Sequence, residues 1–139
     1  MYGNPTFDCD GAGIRAHCRQ LATVVTIIGD LDVVNADSAT RYTRRFILAE
    51  KPFVLDLSGI SSFTREALSL LFTVDDVCTA AGVDWSLVAS RSVEQTLREC
   101  DIEFTAAGSV PEALNHFADA MVARRHLLPL LTKSAEGSL

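Results

Sequence analysis

Apolar and polar residues alternate over Ile14–Cys18, where Ile14, Ala16 and Cys18 are set against Arg15 and His17. A period of two predicts a half-buried strand. Thr23–Ile28 is β-branched at every position, which suits a central strand buried on both faces and ended by Gly29. Asp30-Leu31-Asp32 reads as a turn or bulge. Asn35 stands where its side-chain oxygen could cap a helix. That helix is expected over Ala36–Glu50, with Ala39, Tyr42, Phe46 and Ile47 opposing Arg41, Arg44 and Arg45. Pro52 marks its stop. Phe53–Leu57 is a short apolar run with one acid, a second buried strand, and Ser58–Ser62 has loop chemistry.

From Thr64 onward the spacing turns helical, through Leu68, Leu71, Phe72, Val74, Val77, Cys78 and Ala81, and Gly82 suits the terminator position. Val83–Ala89 predicts a third core strand. Ser92-Val93-Glu94-Gln95 has capping-box spacing for a helix through Cys100. Ile102–Phe104 reads as a short strand or extended link. Ser109-Val110-Pro111-Glu112 is a second box, for a helix from Val110 to about Arg125. The expected order is β β α β α β α (β) α. This predicts an α/β fold, a mixed sheet of four to five strands with about four packed helices. The first two strands form an antiparallel hairpin and the rest run parallel through right-handed crossovers. Residues 1–12 read as a flexible arm, 13–125 as the domain, and 126–139 as a tail. The tail's Leu127-Leu128-Pro129-Leu130-Leu131 is expected to fold back on the core, with docking of a partner or a second copy as the alternative.

Composition narrows the function more than the fold. A length of 139 residues fits one domain, and 48% apolar with 22% charged residues is ordinary globular usage. A net charge of −6 excludes the basic footprint of a nucleic-acid binder and a polybasic membrane contact. No apolar run reaches the roughly 18 residues of a membrane span. The start, polar and carrying Asp8 and Asp10, lacks a signal peptide's regions. The expected location is the cytoplasm, where Cys9, Cys18, Cys78 and Cys100 are free thiols. No cysteine pair has zinc-ligand spacing. His17, His116 and His126 are scattered, and there is neither a nucleophile elbow nor a phosphate loop. No cofactor, no metal and no catalytic set are therefore expected. Asp30 and Asp32 are read as turn residues, and Asp56 as an acid that binds loop amides.

Three stretches, in this order, resemble the STAS domains, a family that includes the bacterial anti-sigma factor antagonists. Gly29-Asp30-Leu31-Asp32 is similar to the family's Gly-Glu-Leu-Asp. Val54-Leu55-Asp56-Leu57-Ser58-Gly59-Ile60-Ser61-Ser62-Phe63-Thr64-Arg65-Glu66-Ala67-Leu68 resembles its signature. Ala81–Val88, followed by Val93–Cys100 and Asp101-Ile102, resembles its second half. The likeness spans about residues 13–122. It implies a regulatory binding module, not an enzyme, whose partner is an anti-sigma factor of GHKL-type kinase fold. It further implies a partner surface at Ser61, Ser62, Phe63, Thr64, Arg65, Glu66, Ala67 and Leu68.

The family carries Asp-Ser-Ser-Gly or Asp-Ser-Thr-Gly there, and the kinase phosphorylates the second hydroxyl. Here Thr64 stands at the Asp, Arg65 at the first Ser, Glu66 at the phosphoacceptor and Ala67 at the Gly. Glu66 has no hydroxyl, so the usual switch cannot operate at this position. Three readings follow for Glu66. It is a stabilising first-turn acid behind a Thr64 cap, a fixed mimic of phosphate, or a contact to which a cognate partner has adapted. Control elsewhere would fall to Ser61, Ser62 or Thr64, or to a redox pair of Cys78 and Cys100. The competing expectation is a STAS module with another protein partner or a small ligand. A homodimer is a further candidate assembly.

Overall fold

The computed structural model describes residues 6–137, with side chains to Ala123. A six-stranded sheet carries its strands in chain order. They are β1 (Phe7–Cys9), β2 (Ala12–Cys18), β3 (Thr23–Leu31), β4 (Phe53–Phe63), β5 (Trp85–Ala89) and β6 (Ala106–Ala107). Between and after them run α1 (Ala36–Arg44), α2 (Leu68–Ala81), α3 (Arg91–Glu99) and α4 (Val110–Gly137). β1, β2 and β3 pair antiparallel, and β3 to β6 pair parallel. The expected mixed sheet is therefore present with one strand more than predicted. The extra strand is β1, inside the stretch read as a loose arm: Asp10 and Gly11 take positive φ and fold Phe7–Cys9 back onto β2.

The sheet separates two cores. Val25, Ile27, Phe53, Leu55, Leu57 and Leu87 face Leu70, Leu71, Val74 and Cys78 of α2, with Ala39 of α1 and Val93 and Leu97 of α3. Val24, Val54 and Val88 face the other way, against Ala113 and Phe117 of α4. Consecutive parallel strands with right-handed crossovers put the three connecting helices on one face. That leaves α4 to cover the other.

Several boundaries move. Gly29 does not end β3. With φ at +98° it carries the strand through an irregularity in the β3–β4 register, so that Leu31 is buried. α1 stops at Arg44, six residues early, because its last carbonyls are taken up by single turns from Arg45 to Ile47. Ser58–Ser62 is strand, not loop: its backbone pairs with β3, so small polar residues extend β4 to Phe63. The third helix is capped by Ser90, whose Oγ accepts from the Val93 amide, not by Ser92. Extended pairing after α3 falls at Ala106–Ala107, past the expected Ile102–Phe104. The Ser109 hydroxyl accepts from the Glu112 amide as its box predicts. The helix it opens runs to Gly137, beyond the expected end near Arg125. The packing of Leu127–Leu131 lies outside the described side chains.

Candidate functional site

β5 pairs with β4 only as far as Leu57–Ala89, so Ser58–Phe63 projects beyond it. One flank of this projection is held by β3. On the other, α3 supplies side chains in place of a strand. The Ser92 hydroxyl donates to the Ile60 carbonyl at 3.0 Å, and the buried Thr96 hydroxyl donates to the Phe63 carbonyl at 2.6 Å. Inward, Ile60 and Phe63 are buried, while Ser61 and Ser62 face solvent. Asp56 fixes the start of the projection: its carboxylate accepts from the Ser58 amide (3.1 Å), the Ser58 hydroxyl (2.6 Å) and the Thr26 hydroxyl (3.3 Å).

Past β4 the chain does not enter an α-helix directly. Arg65–Ala67 forms a single 3-10 turn, closed by the Ala67 amide donating to the Thr64 carbonyl, and α2 begins at Leu68. Ala67 and Leu68 are buried, which leaves Arg65 and Glu66 as the exposed tip. The small Ala67 lets the tight turn sit against the core. Glu66 lies in the first turn as expected, but Thr64 does not cap it. Its backbone is extended as a cap requires, yet the hydroxyl is buried without a hydrogen-bond partner. The backbone closes the turn by itself, so the hydroxyl has no amide to serve. Thr64→Val keeps the shape of the side chain and removes an unsatisfied polar atom at little cost in packing. The variant is expected to be neutral or up to about 1 kcal/mol more stable. Urea denaturation checks this, and a clear loss of stability would mean that the hydroxyl is satisfied after all.

A second segment joins the tip. The Thr64 amide donates to the Leu31 carbonyl at 3.1 Å, which brings the β3–α1 turn alongside. Asp32 accepts from the Val34 and Asn35 amides. Asn35 stands at the expected N-cap position of α1, but its side chain does not cap. Its Oδ1 accepts from the Asp32 amide, and its Nδ2 donates to the carbonyls of Asp10 and Asp30. Asn35 is wholly buried and ties the turn to the β1–β2 hairpin. The result is a braced turn that holds Val33 and Val34 out in water, each 69% exposed. Sequence reading missed this pair. The available signal was two adjacent β-branched apolar residues inside a turn of Asp and Asn, with no strand to join.

Cys78 and Cys100, the candidates for a redox pair, are both free. Cys78 lies in the main core on α2, and Cys100 is half-buried at the end of α3. Burial, with the Asp75 charge adding to it, pushes the Cys78 thiol up to about 12. It stays protonated near neutral pH and is a poor nucleophile. Cys18 on β2 is the exposed thiol among the four. Iodoacetamide at pH 8 should label Cys18 fastest and Cys78 slowest in the folded chain, read by peptide mass spectrometry. Cys78 labelling at the Cys18 rate would contradict this burial. The unfolded thiol releases its proton first, so raising the pH from the ordinary thiol range toward 12 favours unfolding.

No helix among the described residues is long and apolar enough to cross a membrane. The family model described as STAS domain matches residues 13–113. Over 140 residues the chain is 47% identical to osmosensory protein A of Mycobacterium tuberculosis, covering 96% of this chain and 89% of that one. An anti-sigma factor antagonist from Mycobacterium paratuberculosis shares the fold with a TM-score of 0.68 at 18% identity, over 78% of this chain and 96% of that chain. A STAS-domain antisigma-factor antagonist from Rhodobacter sphaeroides gives a TM-score of 0.52 at 13% identity, over 63% and 96%.

Proposed function

The chain belongs to the STAS domain family, and from that premise we propose that it is an anti-sigma factor antagonist of the cytoplasm. It binds an anti-sigma factor of GHKL-type kinase fold and so frees a sigma factor. The binding surface is Ser61–Leu68 together with Val33 and Val34. The observation that carries this reading is the exposed Arg65–Glu66 tip on a braced projection beside an exposed apolar pair. An apolar patch next to fixed charges is the composition of a specific protein interface. Glu66 is a standing contact to the partner, and phosphorylation at this position plays no part. The relative named osmosensory protein A supports osmotic change as the condition under which the chain acts.

Titration calorimetry of Glu66→Ser against the purified anti-sigma factor tests the role of Glu66. Loss of a charged contact is expected to weaken binding about tenfold, since about 1.4 kcal/mol is one decade of affinity. Tighter binding would make Glu66 a phosphate mimic, and unchanged binding would reduce it to a helix-start acid. Glu66 also favours a second reading, because a chain without the acceptor hydroxyl has no need of a kinase partner. In that case the same surface serves another protein, and capture from lysate would repeatedly enrich one that lacks the kinase fold.

A further inference from the structure

Charge is unevenly placed along the fold. Residues 6–65 carry seven acids and seven basic residues, whereas residues 66–139 carry eleven acids and five basic residues. The acidic half also holds a run of aromatic rings. Phe72, 46% exposed, leans on Phe104 at 5.9 Å, and Phe104 leans on Trp85 at 5.6 Å, both tilted. Trp85 and Phe104 border a cavity of about 500 Å3 between the start of β5, Asp75 of α2, and α4. Asp75, Asp84 and Glu103 stand in its wall with Trp85, Phe104 and His116. The indole N–H of Trp85 donates to Asp75 at 3.0 Å, which fixes the ring plane. A second cleft, of about 350 Å3, shares Phe104 and Glu103 and is lined on α3 by Glu94, Leu97 and Arg98.

We propose that this cleft is a second docking site, taking an arginine side chain from a basic segment of a protein partner. The chemistry selects a cation with a flat face. A guanidinium stacks on an aromatic ring and at the same time offers its edge to carboxylates, and a lysine ammonium cannot do both. The complementary charge lies on the partner, because this half of the chain has a large surplus of acid. The Trp85 end of the site is distant from the Thr64–Leu68 surface. Phe53 pairs with Trp85 at one end of β4 and Phe63 lies at the other, ten residues or about 33 Å along the strand. The proposal stands whether or not the anti-sigma reading holds.

Trp85 is the chain's one tryptophan and reports directly. The test is a fluorescence titration of the full chain with capped Gly-Arg-Leu-Arg-Gly, and with the same peptide carrying citrulline for arginine. A saturable change is expected with the arginine peptide, at least fivefold weaker with citrulline, and weaker again in high salt. Glu103→Gln, at an exposed position, should raise the dissociation constant at least fivefold with the fold intact by circular dichroism. Phe104→Leu keeps an apolar body, removes the ring face, and should also weaken binding. Equal binding of the citrulline peptide, or insensitivity to Glu103→Gln, overturns the proposal. So does tetramethylammonium chloride binding as tightly as the peptide, which would make the cleft a small-cation site.

Discussion

Gly29→Ala is expected to destabilise the domain by about 3 kcal/mol or more, because two independent penalties fall on one atom. The residue has φ at +98°, where an L side chain is strained. A Cβ there would also stand 2.3 Å from the Gly11 carbonyl oxygen and 3.3 Å from the Ala12 Cα. Both neighbours are backbone, so no rotamer change relieves the clash. The Gly11 oxygen cannot simply withdraw, since it accepts from the Asp30 amide at 2.9 Å. The hairpin of β1 and β2 would have to move, carrying the Asn35 contact to Asp10 with it. A loss of this size lowers the melting temperature of a chain of this length by roughly 10 °C. Gly82→Ala supplies the control. Its φ is +68° but nothing lies within 4 Å of its Cβ position, so only the conformational penalty of about 1 kcal/mol remains. Two variants melting at the same temperature would mean that the Gly11 contact is not as close as described.

That glycine also shows where reading the sequence stops. A glycine after a β-branched run is a natural strand end, and local pattern alone gives no reason to continue. Continuation depends on Leu31 finding a buried place beside Phe63, a contact thirty-two residues away. Ser58–Ser62 failed in the same way: its residues prefer loops, but an unpaired edge of β3 and two hydroxyls from α3 hold them extended. By contrast, the helices and strands whose apolar period faces one core were legible; the two-sided burial expected over Thr23–Ile28 holds for Thr23–Val25, while Ile28 is 52% exposed. The Thr64–Leu68 motif placed one half of the candidate surface by resemblance alone. Its second half was not, because Val33 and Val34 reach it through the Thr64–Leu31 hydrogen bond and the Asn35 brace. Asn35 itself was assigned the right place and the wrong task. A buried amide can satisfy three loop groups at once, and that outweighs a single cap bond at a helix whose amides find Asp32 and Asn35 carbonyls.

Thr96→Val should uncouple the tip from the fold that aims it. The Thr96 hydroxyl is 2.6 Å from the Phe63 carbonyl, the last residue of β4 before the Thr64–Ala67 turn, and the side chain is buried. Valine keeps the volume and removes the donor, leaving a buried carbonyl without that partner at a cost of about 1–3 kcal/mol. Ser92 still holds Ile60, so the projection should stay in the sheet while its end loosens. Local loosening has its own readout. Amide exchange should accelerate at Thr64–Leu68 and remain near the parent rate in Thr23–Ile27 and Phe53–Leu57, whose ladders are untouched. Binding follows the same logic. A surface that must be ordered on contact spends part of its interaction energy on ordering, so affinity for the proposed anti-sigma partner should fall several-fold although Thr96 is buried. Thr96→Ser retains the donor and should restore both exchange and affinity while losing only a methyl group. If valine weakened binding with no change in exchange at Thr64–Leu68, the hydroxyl would be acting by some route other than holding this turn. If serine failed to rescue, packing of the methyl group would be what matters.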